Sequence, residues 1–182
     1  MRLYRVHPWD RQAKPEEPYG PLYVPPGQGF GRWDNPDLYE LRYFSTTPEG
    51  AVAETFGALP TWSPAMLRFP GPPSLPRALS TYELPDDARI ADLADTATLA
   101  RLNVTRVTDV SQRDKRRTQR LAAAIFTTGD WDGISWWSYY HPTITLVATW
   151  RSDGLELIGT EELSCDHDAV RTAADLIVRR IR

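Results

Sequence analysis

A single cysteine, Cys165, stands in a chain of 182 residues. It excludes an internal disulfide framework and fits a reducing cytosol, so a cytoplasmic location is expected. No apolar run approaches the roughly 18 residues of a membrane span. The N-terminal MRLYRVHPWD has no apolar stretch of the signal-peptide kind. The net charge of -3 provides no global basic field, so direct contact with nucleic acid or an anionic membrane is not expected. Histidine is scarce: His7, His141 and His167 are all there is, and Cys165-x-His167 has no second pair at zinc spacing. No metal is therefore expected. There is no Gly-x-Ser-x-Gly elbow, and Ser138 with His141 three residues on does not make a clean hydrolase dyad. Gly27-Gln-Gly-Phe-Gly31 lacks the leading strand, the following helix and the Lys-Ser/Thr pair of a phosphate loop.

Prolines and aromatics are plentiful, with sixteen prolines, seven tryptophans and eight tyrosines. They point to a loop-rich surface with a shaped pocket, or equally to core and turn residues. Hydrophobic content of 41% supports a real core. The length fits one domain over residues 1–182, with no repeat and no low-complexity linker. Arg2 to Val6 reads as a first strand, followed by a proline-rich loop over residues 7–38. A loop of that length in a compact domain is commonly functional. Further strands are expected at Ala65–Phe69, Leu79–Leu84, Arg89–Leu93, Ile134–Tyr140 and Thr143–Trp150. In the last of these Ile144, Leu146, Ala148 and Trp150 point inward, and Val147 and the threonines outward. Ser152-Asp-Gly154 reads as a hairpin turn into Leu155–Ile158. Helices are expected from Asp95 to Leu102, Gln112 to Thr127 and Asp168 to Ile181. The fold class is α+β, a mostly antiparallel sheet with surrounding helices. The basic first half of the 112–127 helix (Arg113, Lys115, Arg116, Arg117, Arg120) is a solvated face or a phosphate or nucleic-acid patch. The net charge counts against the patch.

One stretch, Gly29 to Glu54, concentrates unusual features. Gly31 permits a tight bend before Arg32-Trp33, and Asp34-Asn35-Pro36-Asp37 is turn chemistry. Tyr39–Ser45 alternates as a strand. A helix over 47–57 follows, with Thr46 or Thr47 as its cap, Pro48 in its first turn and Thr46-x-x-Glu49 as a capping box. Ala51, Val52, Thr55 and Phe56 form its expected buried side. Glu54 lies off that face, toward a flank. Its position alone leaves two readings, a solvated glutamate or a carboxylate aimed into a cleft beside Arg32 and Tyr43.

Several blocks occur in order: Leu3-Tyr-Arg-Val6, Gly31-Arg-Trp33, Leu41-Arg-Tyr-Phe44, Glu54 eleven residues past Tyr43, Thr118-Gln119-Arg120, and Asp132-Gly-Ile134 with Ser138 four residues on. In this order and spacing the chain resembles the RES domain family, named for its arginine, glutamate and serine. The resemblance implies an ADP-ribosyltransferase-like fold and an enzyme that consumes NAD as substrate. Members cleave the nicotinamide–ribose bond by hydrolysis or phosphorolysis, acting as an NAD glycohydrolase or NAD phosphorylase, and some transfer ADP-ribose to a protein. They are toxins of bacterial toxin–antitoxin pairs, which implies a cognate antitoxin, of a DNA-binding helix-turn-helix type, as partner. Carried onto this chain, the catalytic residues would be Arg32, Glu54 and Ser138. Those holding NAD would be Arg5, Arg32, Trp33 and Tyr43. Arg5 and Arg32 both sit at family-like positions, with Arg32 slightly favoured. The alternatives are a protein ADP-ribosyltransferase or a catalytically inactive interaction domain of the same fold.

Overall fold

The structure, a computed structural model, describes residues 1–71, 74–111 and 114–182. Its frame is a sheet built from β1 (Arg2–Pro8), β2 (Arg42–Ser45), β4 (Arg68–Phe69), β5 (Leu75–Glu83), β6 (Ile90–Asp92), β7 (Gly133–Trp137), β8 (Thr145–Thr149) and β9 (Glu156–Glu162). The strand order is β4-β5-β1-β2-β8-β7-β6, with β9 also paired to β5. All pairs are antiparallel except β6 with β7. This is the mixed, mostly antiparallel sheet expected of an α+β chain.

Both faces of the sheet are covered, and they differ in kind. One carries the main core, where α1 (Pro48–Phe56), α4 (Lys115–Thr127) and α5 (Asp168–Leu176) bury Val52, Phe56, Ala122, Ile125, Val170 and Ala173 against strand residues such as Leu79, Ile134 and Leu146. The other face holds a smaller cluster of Leu3, Phe44, Tyr82, Leu84, Val147 and Leu155. Leu22 packs over it from the long loop, and Tyr82 donates its hydroxyl hydrogen to the Pro21 carbonyl at 2.5 Å. Val147 and Thr149 are therefore buried, not outward, because a second layer sits on that side.

Helix α1 forms where local signals agree. Thr47 is the cap, its hydroxyl accepting from the Gly50 amide at 3.1 Å, and Pro48 follows it. The cap thus falls one residue later than the expected Thr46–Glu49 box, and Gly50 at its third position has no side chain to return the bond. Val52 and Phe56 each contribute roughly 1.5–3 kcal/mol by burial. Ala53 is buried in place of Thr55, which is exposed and returns its hydroxyl hydrogen to the Ala51 carbonyl at 2.8 Å. Helix α2 (Thr96–Arg101) is capped by Asp95 as its sequence suggests, and Asn103 takes a positive φ of 55° just past its end.

Other expectations change. Ala65–Phe69 splits into a 3-10 turn at Pro64–Leu67 and the two-residue β4, since Pro64 suits a helical first turn. The strand expected from Tyr39 begins only at Arg42, although Tyr39 and Leu41 are buried ahead of it. That expected from Ile134 to Tyr140 stops at Trp137. Gly154 does turn the chain at a φ of 79°, but β9 pairs with β5 instead of folding back on β8. A short α3 (Thr108–Ser111) precedes α4, and Gln112 and Arg113, expected to open that helix, lie outside the described residues. The C-terminal helix ends at Leu176. Val178 then takes a φ of 55° and is 86% exposed, and β10 (Arg180–Ile181) runs parallel to β3 (Thr61–Trp62). Among the described residues, no helix is long and apolar enough to cross a membrane.

Candidate functional site

The site begins at an interruption in the sheet. Strands β1 and β2 pair at one position only, Tyr4 opposite Ser45. The residues that would pair next, Arg5 and Val6 on one strand and Tyr43 and Phe44 on the other, instead border a cavity of about 540 Å³. Helix α1 closes one side with Ala51, Glu54 and Thr55, Arg32 closes another, and Trp136, Tyr139 and Tyr140 line the wall beyond. This volume is in the range of small-ligand pockets, which run from about 300 to 1,000 Å³.

Glu54 is half-buried in this cavity, so its position on the helix flank serves a cleft and not bulk water. Ser138, just past the end of β7, is buried behind it and donates its hydroxyl hydrogen to Glu54 Oε1. The same hydroxyl accepts from the Tyr140 amide at 2.9 Å, which fixes the direction of its proton. Burial raises the Glu54 pKa, and the Ser138 hydrogen bond and the charge of Arg32 oppose that rise. Ser138 is not among the residues that line the cavity, and its hydroxyl meets the Glu54 carboxylate.

Arg32 faces the same space from the loop. Burial lowers its pKa, while Glu54 and then Tyr43 raise it. Its Nη2 donates to the Val110 carbonyl in α3, and its guanidinium lies 5.3 Å from the centre of the Trp33 ring. Its Nε is buried and has no hydrogen-bond partner among the described residues. A buried donor of this kind is costly unless something supplies an acceptor.

Tyr43 presents its ring to the cavity and turns its hydroxyl away. That hydroxyl donates to Asp34 Oδ1 at 2.6 Å and accepts from the Trp33 amide at 3.1 Å. Asp34 Oδ2 accepts from the Gly31 amide at 2.6 Å. A side chain at Gly31 would meet the Tyr43 hydroxyl at 2.4 Å and Asp34 Oδ1 at 2.5 Å, so this bend needs glycine.

Two residues expected to hold the ligand are placed differently. Trp33 is fully buried, packed edge-on against Trp136 with ring centres 5.3 Å apart, and it backs the cavity without reaching it. Arg5 borders the cavity from the edge of β1. Strand alternation nevertheless puts its side chain on the face of Leu3 and His7, where Nη1 donates to the Tyr23 carbonyl at 3.3 Å. Arg32 is thus the arginine whose charge meets Glu54. His141 turns to the Thr143 hydroxyl, and His167 caps α5, accepting from the Ala169 amide at 3.1 Å. Among the described residues, no group of three His, Cys, Asp or Glu side chains could hold a metal ion.

Asp34 reads in the sequence as a turn residue only, and nothing there assigns Trp136, Tyr139 and Tyr140 to the wall of the cavity. The Tyr139-Tyr140 pair just beyond a strand was the available signal. Tyr139 is 75% exposed and Tyr140 lies next to Glu54, whose charge, after burial, raises its pKa.

The RES domain family model matches residues 2–168. No curated protein matches the chain. Among solved structures, the chain is similar to one in the crystal structure of the M. tuberculosis MbcT-MbcA toxin-antitoxin complex. The TM-score is 0.65 at 19% identity, over 97% of this chain and 88% of that one, a likeness of fold. With the family model spanning nearly the whole chain, this protein belongs to the RES domain family.

Proposed function

We propose that this chain is an NAD-consuming enzyme that breaks the nicotinamide–ribose bond, an NAD glycohydrolase or phosphorylase. The observation that carries the reading is Glu54. Its carboxylate is half-buried in a ligand-sized cavity, held from behind by Ser138 and faced by Arg32 and the Tyr43 ring.

The chemistry follows from charge. As the ribose C1′–N bond breaks, its electron pair leaves with nicotinamide and neutralises the pyridinium ring, while positive charge develops on the ribose. A carboxylate at Glu54 stabilises that charge more than it stabilises the ground state, which is the condition for catalysis. An acceptor oxygen, from water or inorganic phosphate, then bonds to C1′. Water gives up a proton in that step. Arg32 offers Nε and its remaining donors to an anionic oxygen of the dinucleotide or of the incoming phosphate. The Tyr43 ring, with its hydroxyl already engaged, offers a face to the cationic nicotinamide. Ser138 keeps the Glu54 carboxyl oriented and favours its ionised form.

The test is incubation of the purified protein with NAD, with and without phosphate, and analysis of the products. Free nicotinamide with ADP-ribose identifies hydrolysis, and a phosphorylated ADP-ribose identifies phosphorolysis. NAD left intact in both contradicts the reading.

The biological role we infer is that of a toxin held in check by an antitoxin protein, of the DNA-binding helix-turn-helix type. Family membership supports it, as does the similar fold in a toxin–antitoxin complex. Expression of the chain alone should slow growth, and co-expression of the neighbouring gene should restore it. Normal growth at high soluble expression would contradict the toxin role.

A further inference from the structure

Arg32 sits on Gly29–Asn35, a segment with no helix or strand of its own. Such a segment holds a side chain in place only through bonds supplied by its surroundings. Tyr43 supplies them from the strand side, accepting from the Trp33 amide and donating to Asp34, which in turn accepts from the Gly31 amide within the segment. The other supply comes from the first two turns of α4. Gln119 Nε2 donates to the carbonyls of Gly29, at 3.2 Å, and Gly31, at 3.0 Å. Lys115 Nζ donates to the Phe30 carbonyl, and Thr118 Oγ1 donates to that of Arg32. Four successive carbonyls, from Gly29 to Arg32, thus accept from side chains of one helix. The backbone carbonyl of Gln119 accepts in turn from Asn35 Nδ2 at 2.9 Å.

Glutamine is a good helix former and threonine a weak one. The Thr118 hydroxyl, fully buried, would be costly without a partner, and its one hydrogen has two carbonyls in reach, that of Lys115 in its own helix at 3.0 Å and that of Arg32 in the loop. Gln119 directs its amide hydrogens to the loop carbonyls before Arg32, and the Thr118 hydroxyl lies against the carbonyl of Arg32 itself. With Nη2 tied to Val110, the arginine is anchored at its backbone and at the tip of its fork, and Nε is a buried donor without a partner among the described residues.

We propose that Thr118 and Gln119 are positioning residues that hold Arg32 in its working place. The proposal rests on the reading of Arg32 given above. It assigns a function to a Thr-Gln pair more than 80 residues away from that arginine in sequence.

The test uses the full chain with Thr118→Val, which keeps the shape and removes the hydroxyl, Thr118→Ser, which restores it, and Gln119→Leu. Amide hydrogen exchange is read at Gly31 and Trp33, whose N–H groups are hydrogen-bonded to Asp34 and Tyr43. Exchange at both should rise about tenfold in Thr118→Val and Gln119→Leu, return in Thr118→Ser, and stay unchanged in α1. The kcat/KM for NAD should fall about tenfold in the same two variants. It should fall no further when Arg32 is already alanine, because a residue acting through Arg32 has nothing left to act on. Unchanged exchange overturns the proposal, and so does an activity loss that adds in full on the Arg32→Ala background. If the wild-type chain leaves NAD intact, the enzymatic reading falls on its own. The exchange arm then decides the clamp: faster exchange with serine rescue upholds it, and unchanged exchange overturns it. Gln119 is only half-buried, so its variant keeps the test alive if Thr118→Val does not fold.

Discussion

Glu54 and Arg32 face one cavity but are delivered to it in opposite ways. Glu54 rides on a capped helix whose apolar side is packed into the main core, so regular structure sets its place. Arg32 rides on an irregular loop, and hydrogen bonds from Asp34, Tyr43, Thr118 and Gln119 set its place instead. The first arm is robust because hydrophobic burial is non-directional and shared among many residues. The second depends on a few directional bonds, each of which can be removed singly. Loss of the first arm should register mainly as stability, and loss of the second mainly as activity.

The largest expected effect is on the loop arm. Arg32→Ala removes the guanidinium fork, and kcat/KM for NAD should fall at least ~100-fold. The melting temperature should move by only a few degrees, because α1 and its core are untouched. A cooperative collapse of the fold in this variant would show that the loop is structural and would erase the contrast.

Ser138→Ala tests the join between the arms and should have a smaller effect, about tenfold at neutral pH. Burial already holds the Glu54 pKa above its ordinary value, and the Ser138 hydrogen bond pulls it down. Removing the hydroxyl lets the pKa rise further. The carboxylate is the working form, so the acid limb of the pH–rate profile should move to higher pH. A limb that stays in place, or moves to lower pH, would mean that Ser138 does not tune Glu54.

The smallest effect belongs to the helix arm. Thr47→Ala removes the α1 cap and should lower stability by about 1 kcal/mol with little change in turnover per folded molecule. Thr46→Ala should cost less, since Thr46 lies outside the cap and its hydroxyl donates only to the Thr145 carbonyl at 3.3 Å. Denaturant midpoints of the two variants check the order. The reverse order would restore the Thr46–Glu49 box.

The same contrast explains what was legible in the sequence. Helix α1, the Asp95 cap of α2 and the strand β1 were readable, because a cap, a proline and an apolar period act over a few residues. The flank position of Glu54 was readable for the same reason, though only the structure shows what that flank faces. The pairing of β9 with β5 was not readable, because a turn at Gly154 says that the chain reverses and not which strand receives it. Nor was burial on the second face of β8, which depends on Leu22 and Tyr82 arriving from elsewhere in the chain. Trp33 followed the family pattern into a binding role on sequence, yet packing took it into the core. Asp34 reads as a turn residue, as its local bond to the Gly31 amide makes it, and its bond to Tyr43 exists only once the strand lies beside the loop.

In the function proposed here, the Glu54 carboxylate stabilises the charge that develops as the nicotinamide–ribose bond breaks in this cavity. The most direct measurement is nicotinamide release from NAD by the purified wild-type chain beside Glu54→Gln, at equal concentration and with melting temperatures recorded for both. The substitution keeps size and hydrogen-bonding reach and removes the charge. The account predicts release by the wild type, at least ~100-fold less by the variant, and a melting temperature within a few degrees or higher. Near-equal release by the two proteins, or an unfolded variant, would contradict it.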